Sequence, residues 1–135
     1  MSFEEISHTA DVKIRARALT LDALFTEAFL ALMQVMYGAD RRGGMSKEVT
    51  VESNDIESLL CDFLSEVLFI AEVEGRVFSR AEIRIDGLHL SAVLEGEPFD
   101  PVRHSCGTEV KGISYSGLSI QNDANGYMLE ILFDV

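Results

Sequence analysis

Apolar residues repeat at helical spacing in two stretches of the chain, which predicts two amphipathic helices. The first helix is predicted to begin after the N-cap residue Thr20 and to end near Tyr37, before Gly38. The second can be capped by Asn54 or Asp55 and carries the most apolar stripe in the chain. The stripes consist of Leu21, Leu24, Phe25, Ala28, Leu32 and Val35 in the first helix, and of Ile56, Leu59, Leu60, Phe63, Leu64, Val67, Leu68 and Ala71 in the second.

The remaining apolar residues alternate with polar ones, a pattern typical of strands with one buried face. Asp86-Gly87 is predicted as the two-residue turn of a hairpin, and Gly117 as a bulge where the apolar register slips. The strand pattern covers residues 3–7, 12–18, 47–53, 77–85, 88–94, 113–120 and 127–135. The order β-β-α-β-α-β-β-β-β predicts an α+β fold, in which residues 1–135 form a single domain with two helices packed on a largely antiparallel or mixed β-sheet.

The chain of 135 residues carries a formal charge of −12, which argues against tight, direct nucleic-acid binding because phosphate recognition relies on lysine and arginine. An acidic surface suits a metal ion or the basic surface of a partner protein, although acidity also serves solubility alone. No apolar run approaches the ~18 residues of a membrane span, and the sequence shows no secretory signal. We therefore expect no membrane association and a cytoplasmic location.

Cys106 stands beside His104 in a long polar segment, residues 96–112, of a kind that often carries function. A cysteine nucleophile with a histidine base would suit these residues, but the pattern fixes no geometry between them. Cys61 falls within the apolar helical pattern and is predicted to fill the core. The sequence contains no glycine-rich phosphate loop, nucleophile elbow or zinc ligand set, which weakens the case for an enzyme.

Acidic groups stand at the first strand junction and at the end of the last strand. Asp11 lies within the stretch HTADV, and Asp134 directly precedes the carboxylate of Val135. The Asp134 side chain and the Val135 carboxylate are two anions a few ångströms apart, which repel by about 4 kcal/mol at an effective dielectric constant near 20, so a cation is expected beside them, with Asp11 as a third candidate anion. Their hard oxygen atoms favour Ca²⁺, Mg²⁺ or Mn²⁺. Alternatively, Asp11 caps a turn, and Asp134 pairs with Lys111 or Arg103.

Five stretches of the sequence together resemble the archease family: HTADV, LLCDFLSEVLFI, FDPVRH, VKGISYSGLSI and the final FDV. The resemblance spans essentially the whole chain. It implies a small non-catalytic cofactor protein that acts with a GTP-dependent tRNA-splicing RNA ligase and promotes the guanylylation and multiple turnover of that enzyme. The alternative implied role is a chaperone-like modulator of a tRNA cytosine methyltransferase. The chain departs from many family members at Ser116, where histidine is common, and at Tyr127, where tryptophan is common.

The resemblance also implies which residues form the functional site. The metal site of the family falls on Asp11, Asp134 and Val135, with calcium the divalent ion most expected in a crystal. Three further residues are candidates for contact with the partner ligase, and these are His8, His104 and Lys111. Each of the three also suits a local turn, core or salt-bridge role.

Overall fold

Helices and strands follow one another in the order that the sequence predicts. In a computed structural model, which describes residues 1–6 and 11–135, two helices and seven strands are formed. Thr20 and Asp55 cap the helices by accepting hydrogen bonds from the backbone amides of Ala23 (3.2 Å) and Ser58 (2.7 Å). The elements are β1 (Ser2–Ile6), β2 (Asp11–Ala18), α1 (Leu21–Tyr37), β3 (Met45–Glu52), α2 (Ile56–Glu74), β4 (Arg76–Asp86), β5 (His89–Pro98), β6 (Gly112–Asp123) and β7 (Gly126–Asp134).

The described strands divide between two antiparallel sheets. The first sheet has the order β1-β2-β7-β6 and the second has the order β3-β5-β4. The predicted bulge is confirmed, because the register of β6 against β7 shifts between Ser114 and Ser119 and Gly117 has a φ of 79°. The predicted α+β class and the single domain are therefore confirmed, with the helices packed on two sheets and not on one.

Each helix contacts both sheets, so the helices hold the two halves of the core together. The rings of Phe29 in α1 and Phe63 in α2 lie 6.5 Å apart between their centroids. Cys61, predicted to fill the core, is half-buried on α2. Neither helix of the described ranges has the length and apolar character that a membrane crossing needs. The phenylalanines of this core that are fully buried are Phe25, Phe29, Phe63, Phe78 and Phe133.

The β4–β5 hairpin turns one residue later than predicted. Its last strand pair joins Asp86 to His89, so the turn consists of Gly87 and Leu88. Gly87 has a φ of 62°, which a glycine at the first turn position adopts without strain. The prediction of an Asp86-Gly87 turn is therefore wrong by one position, because the glycine takes the first place in the turn and the aspartate ends the strand.

The loop between β5 and β6 is anchored by one buried carboxylate, that of Glu97. The guanidinium of Arg103 donates two hydrogen bonds to it, over 2.9 Å to Oε2 and 2.5 Å to Oε1. The backbone amide of Arg42 donates a third (2.7 Å), and His104 Nε2 lies 3.2 Å from Oε2. The Arg103 hydrogen bonds hold the pKa of Glu97 down to about 2. This carboxylate therefore ties the loop to the segment that follows α1.

The same loop packs closely on the last turn of α1. The backbone amide of Thr108 donates a 2.8 Å hydrogen bond to the carbonyl oxygen of Val35, near the end of the helix. At Gly107 the approach is so close that a Cβ atom would lie 2.1 Å from the carbonyl oxygen of Met36. The contact is backbone against backbone, so a side chain at position 107 cannot be accommodated by a change of rotamer.

Gly107→Ala is expected to lower the free energy of unfolding by about 1–3 kcal/mol, since the loop must move away from α1. The matched control is Gly43→Ala, where the nearest atom to a new Cβ, Glu95 Oε2, is 3.7 Å away. Urea unfolding of both variants and the wild type measures the effect. Equal midpoints for all three proteins would contradict the close contact at position 107.

Glu97→Gln should lower the free energy of unfolding at neutral pH, because the neutral amide replaces the carboxylate that Arg103 binds. The pKa of Glu97 in the folded state, about 2, lies below the ordinary value of 4.5. Its carboxylate therefore stabilises the fold fully above about pH 4.5, and that contribution disappears as the pH falls toward 2. Urea unfolding should show the gap between the two proteins closing over this range. A gap that stayed constant would refute the role of the charge.

Candidate metal site

The structure brings Asp11 and Asp134 to the same place. They are directly opposite each other in the antiparallel ladder of β2 and β7. Side chains of directly opposite residues lie on the same face of a sheet, with Cβ atoms roughly 4.5–5.5 Å apart. Asp11 is half-buried and Asp134 is exposed. The two carboxylates predicted from opposite ends of the sequence therefore lie together at one end of the two central strands of the first sheet.

No described lysine, arginine or histidine forms an ion pair with either aspartate. The two basic side chains of β2 that follow Asp11 most closely are used elsewhere, since Lys13 lies 3.5 Å from Glu130 and Arg15 lies 2.5 Å from it. Like charges directly opposite each other in a sheet destabilise the pairing. The uncompensated pair is thus a place where a bound cation would stabilise the fold.

Residues 111 and 112 hold Asp134 from its other side. The backbone amide of Lys111 donates a 2.7 Å hydrogen bond to the carbonyl oxygen of Asp134, and Gly112 pairs with Asp134 in the ladder. The Lys111 side chain is exposed. The alternative ion pair between Lys111 and Asp134 is therefore not formed, and their contact is between main-chain atoms. Val135 follows Asp134 directly and is 39% exposed.

The donor set suits a hard cation that keeps several water ligands. Within residues 1–6 and 11–135, no three side chains of histidine, cysteine, aspartate or glutamate are close enough to share a metal ion. Two carboxylates, with main-chain oxygen atoms of Val135 beside them, are the kind of oxygen ligands that Mg²⁺ and Ca²⁺ accept. Zinc usually takes four nitrogen or sulfur ligands and does not suit this set.

The other predicted site residues fall elsewhere. Arg103, the alternative partner of Asp134, forms its ion pairs with Glu97, Asp100 and Asp40. His8, a candidate partner contact, lies outside the described residues.

His104, the second candidate for partner contact, is buried, with 1% of its surface exposed. Its Nδ1 accepts a 2.9 Å hydrogen bond from the backbone amide of Asp100, and its Nε2 faces Glu97. The ring therefore holds the loop and offers almost no surface of its own to a partner. Because both ring nitrogens are engaged, it also has no free nitrogen to activate Cys106, which is exposed.

Glu97 itself was missed by the sequence analysis. Burial alternates along β5 up to Gly96, and Glu97 breaks the alternation because it is buried as well. In the sequence itself, the one signal for a buried carboxylate is that Glu97 stands just before the arginine and histidine of the FDPVRH stretch. Its third partner, the amide of Arg42, comes from the segment after α1 and gives no local signal.

Two solved structures have the same fold as this chain. The solution structure of Methanobacterium thermoautotrophicum protein 1598 superposes with a TM-score of 0.82, at 26% identity over 98% of both chains. The crystal structure of a Thermotoga maritima archease, described as a possible chaperone, shares the fold with a TM-score of 0.68, at 19% identity over 98% of this chain and 96% of that one.

Sequence comparison gives the family. Protein archease of Methanosarcina acetivorans is 35% identical to this chain, over 98% of this chain and 95% of the relative. The model of the Archease protein family (MTH1598/TM1083) matches residues 3–135. The chain therefore belongs to the archease family.

Proposed function

We propose that this protein is a non-catalytic cofactor that binds a divalent cation at Asp11, Asp134 and Val135 and activates a GTP-dependent tRNA-splicing RNA ligase. In this role it promotes guanylylation of the ligase and its multiple turnover in tRNA splicing. The observation that carries the proposal is the opposed pair of carboxylates on β2 and β7, which has no basic partner among the described residues. Membership of the archease family links this pair to the proposed role.

The cation would be held by the two carboxylates and by main-chain oxygen atoms of Val135. Ca²⁺, Mg²⁺ and Mn²⁺ all accept such ligands, and none of them needs a complete cage of protein side chains. When bound, the ion would offer positive charge and open coordination positions to oxygen ligands of the partner. The residues of this chain would fix the position of the ion, through β-sheet pairing and through the Lys111 amide.

Charge supports a protein partner and not RNA itself. The net charge of −12 repels phosphate backbones but favours encounter with a basic protein. The exposed side chain of Lys111 stands next to the candidate metal site and remains a candidate contact with the ligase. His8 stays a candidate from the sequence, and His104 contributes by holding the loop.

Asp134→Asn and Asp11→Asn should each weaken calcium binding by about tenfold or more. The loss of a residue that only hydrogen-bonds a metal ligand already lowers metal affinity about 10–100-fold, and these residues are proposed as ligands themselves. Isothermal titration calorimetry measures the affinity. Asp86→Asn, at an exposed position in the second sheet, is the matched control and should leave the affinity unchanged. In the presence of a chelator, Asp134→Asn should be as stable as the wild type or more stable by ~0.2–1 kcal/mol, because a like-charge contact is removed. Unaltered calcium affinity in both variants would refute the proposed metal site.

The ligase role is tested by guanylylation of the purified ligase, with labelled GTP and this protein in limiting amount. Asp11→Ala and Asp134→Ala should abolish the stimulation, whereas Asp86→Ala should retain it. If all three variants stimulate the ligase as strongly as the wild type does, the role of the acidic pair in activation is refuted. The calcium titration remains informative in that case, because it tests metal binding without the ligase.

A chaperone-like role toward a tRNA cytosine methyltransferase is the alternative. The observation in its favour is that Phe69 and Val73 are 60% and 66% exposed on α2. Large exposed apolar side chains mark protein-binding surfaces when they are adjacent. The alternative is favoured over the ligase role if this protein changes methyltransferase activity and does not change ligase guanylylation.

A further inference from the structure

A groove with a volume of about 410 Å³ lies where the last turns of α1 and α2 meet the loop after β5. The apolar part of its lining comes from Met36 and Tyr37 at the end of α1 and from Phe99 in the loop. Glu72 of α2 and Glu109 of the loop add a carboxylate each. The groove therefore combines an apolar wall with two acidic side chains, and none of these residues belongs to the candidate metal site.

Aromatic rings form much of the wall. The rings of Tyr37 and Phe99 lie 6.0 Å apart between their centroids, and the buried ring of His104 lies 6.4 Å and 5.9 Å from them. Burial, with a smaller contribution from the charge of Glu72, raises the pKa of Tyr37 to about 12, so this phenol stays neutral. Aromatic faces close to a carboxylate attract ammonium and guanidinium groups.

The two acidic side chains are not neutralised by the described part of the chain. Glu72 and Glu109 are exposed, and neither forms an ion pair with a described residue. Lys47 and Arg76, near the end of α2, are engaged by Glu74 at 3.0 Å and 3.5 Å, whereas Lys111, two residues after Glu109, is exposed and forms no ion pair with a described residue. The groove therefore has a negative potential on a molecule that is already strongly acidic.

An exposed apolar strip continues from the groove along α2. Phe69 and Val73 are four residues apart and therefore adjacent on the helix surface, with Glu72 on the same face. Their exposures of 60% and 66% are high for side chains of this size. Such a strip beside a negative groove complements a segment that is both apolar and basic.

We propose that the groove and the Phe69–Val73 strip dock a segment of a protein partner, in which an arginine or lysine enters between Glu72 and Glu109 and a large apolar side chain covers the strip. Nucleic acid and anionic lipid are poor occupants, because their phosphates would meet carboxylates. The docking needs no bound cation and is independent of the metal site. Only Val110 separates Glu109 from Lys111, however, so a partner on the groove also lies beside Asp134.

The test uses a short, fluorescently labelled peptide that alternates arginine with leucine, titrated with the full chain at fixed ionic strength. Glu72→Lys combined with Glu109→Lys should weaken binding about tenfold, which corresponds to two exposed ion pairs exchanged for repulsion. The control is Glu48→Lys combined with Glu52→Lys, which makes the same change of charge at two exposed positions of β3 and should alter binding less than about twofold. Equal losses in the two variants would overturn the proposal, since binding would then follow net charge alone.

The apolar contact is tested separately. Phe69→Ser combined with Val73→Ser should weaken the arginine–leucine peptide about fivefold and leave a peptide of arginine and glycine unaffected, since about 1 kcal/mol of apolar contact is lost only with the first peptide. Both side chains are exposed, so unfolding curves should show these variants folded. No change with either peptide would overturn the role of the strip. Sedimentation experiments test whether the occupant is a second copy of the chain. If the wild type dimerises and the Glu72→Lys, Glu109→Lys variant does not, the proposal of a different protein partner is overturned.

Discussion

The pairing of β2 with β7 holds together both the first sheet and the candidate metal site. These strands are the two central ones of that sheet, and the residues that they turn inward, among them Ile14, Ile131 and Phe133, are fully buried. Because side chains alternate along a strand, a slip of one residue would expose these apolar side chains and turn Asp11 toward the core. Burial therefore fixes the register, and the register places Asp11 opposite Asp134. The geometry of the acidic pair is determined by the packing of the core and needs no dedicated loop.

Three sets of carboxylates in this acidic protein differ in how their charge is compensated. Glu97 is buried, and it receives hydrogen bonds from Arg103 and from the amide of Arg42, which makes it part of the framework. Asp11 with Asp134, and Glu72 with Glu109, are accessible and have no cationic partner in the described ranges. In both pairs the fold leaves the negative charge open to a bound cation. Asp11 and Asp134 face each other across a strand ladder, which suits an ion. Glu72 and Glu109 line an apolar groove, which suits a longer cationic side chain.

The features that the sequence predicted correctly depend on neighbouring residues. Helix caps at Thr20 and Asp55, the end of α1 before Gly38 and the bulge at Gly117 follow from local periodicity and backbone preference. Features that depend on distant residues were not predicted. The burial of His104 depends on the ring of Tyr37, which comes from α1, and the division of the strands into two sheets depends on how both helices pack. The acidic pair was anticipated only because charges at the two ends of the sequence matched a family motif, while its geometry required the strand register.

The loop of residues 99–111 connects the two uncompensated acidic surfaces. One end of it carries Phe99, on the groove, and the other carries the Lys111 amide, which holds Asp134. In between, Arg103 and His104 attach the loop to Glu97, and Gly107 packs on the backbone of α1 with no room for a side chain. A loop held in this way cannot shift at one end without straining the contacts at the other. A partner seated on the groove would therefore meet the acidic end of β7 at a fixed distance and orientation.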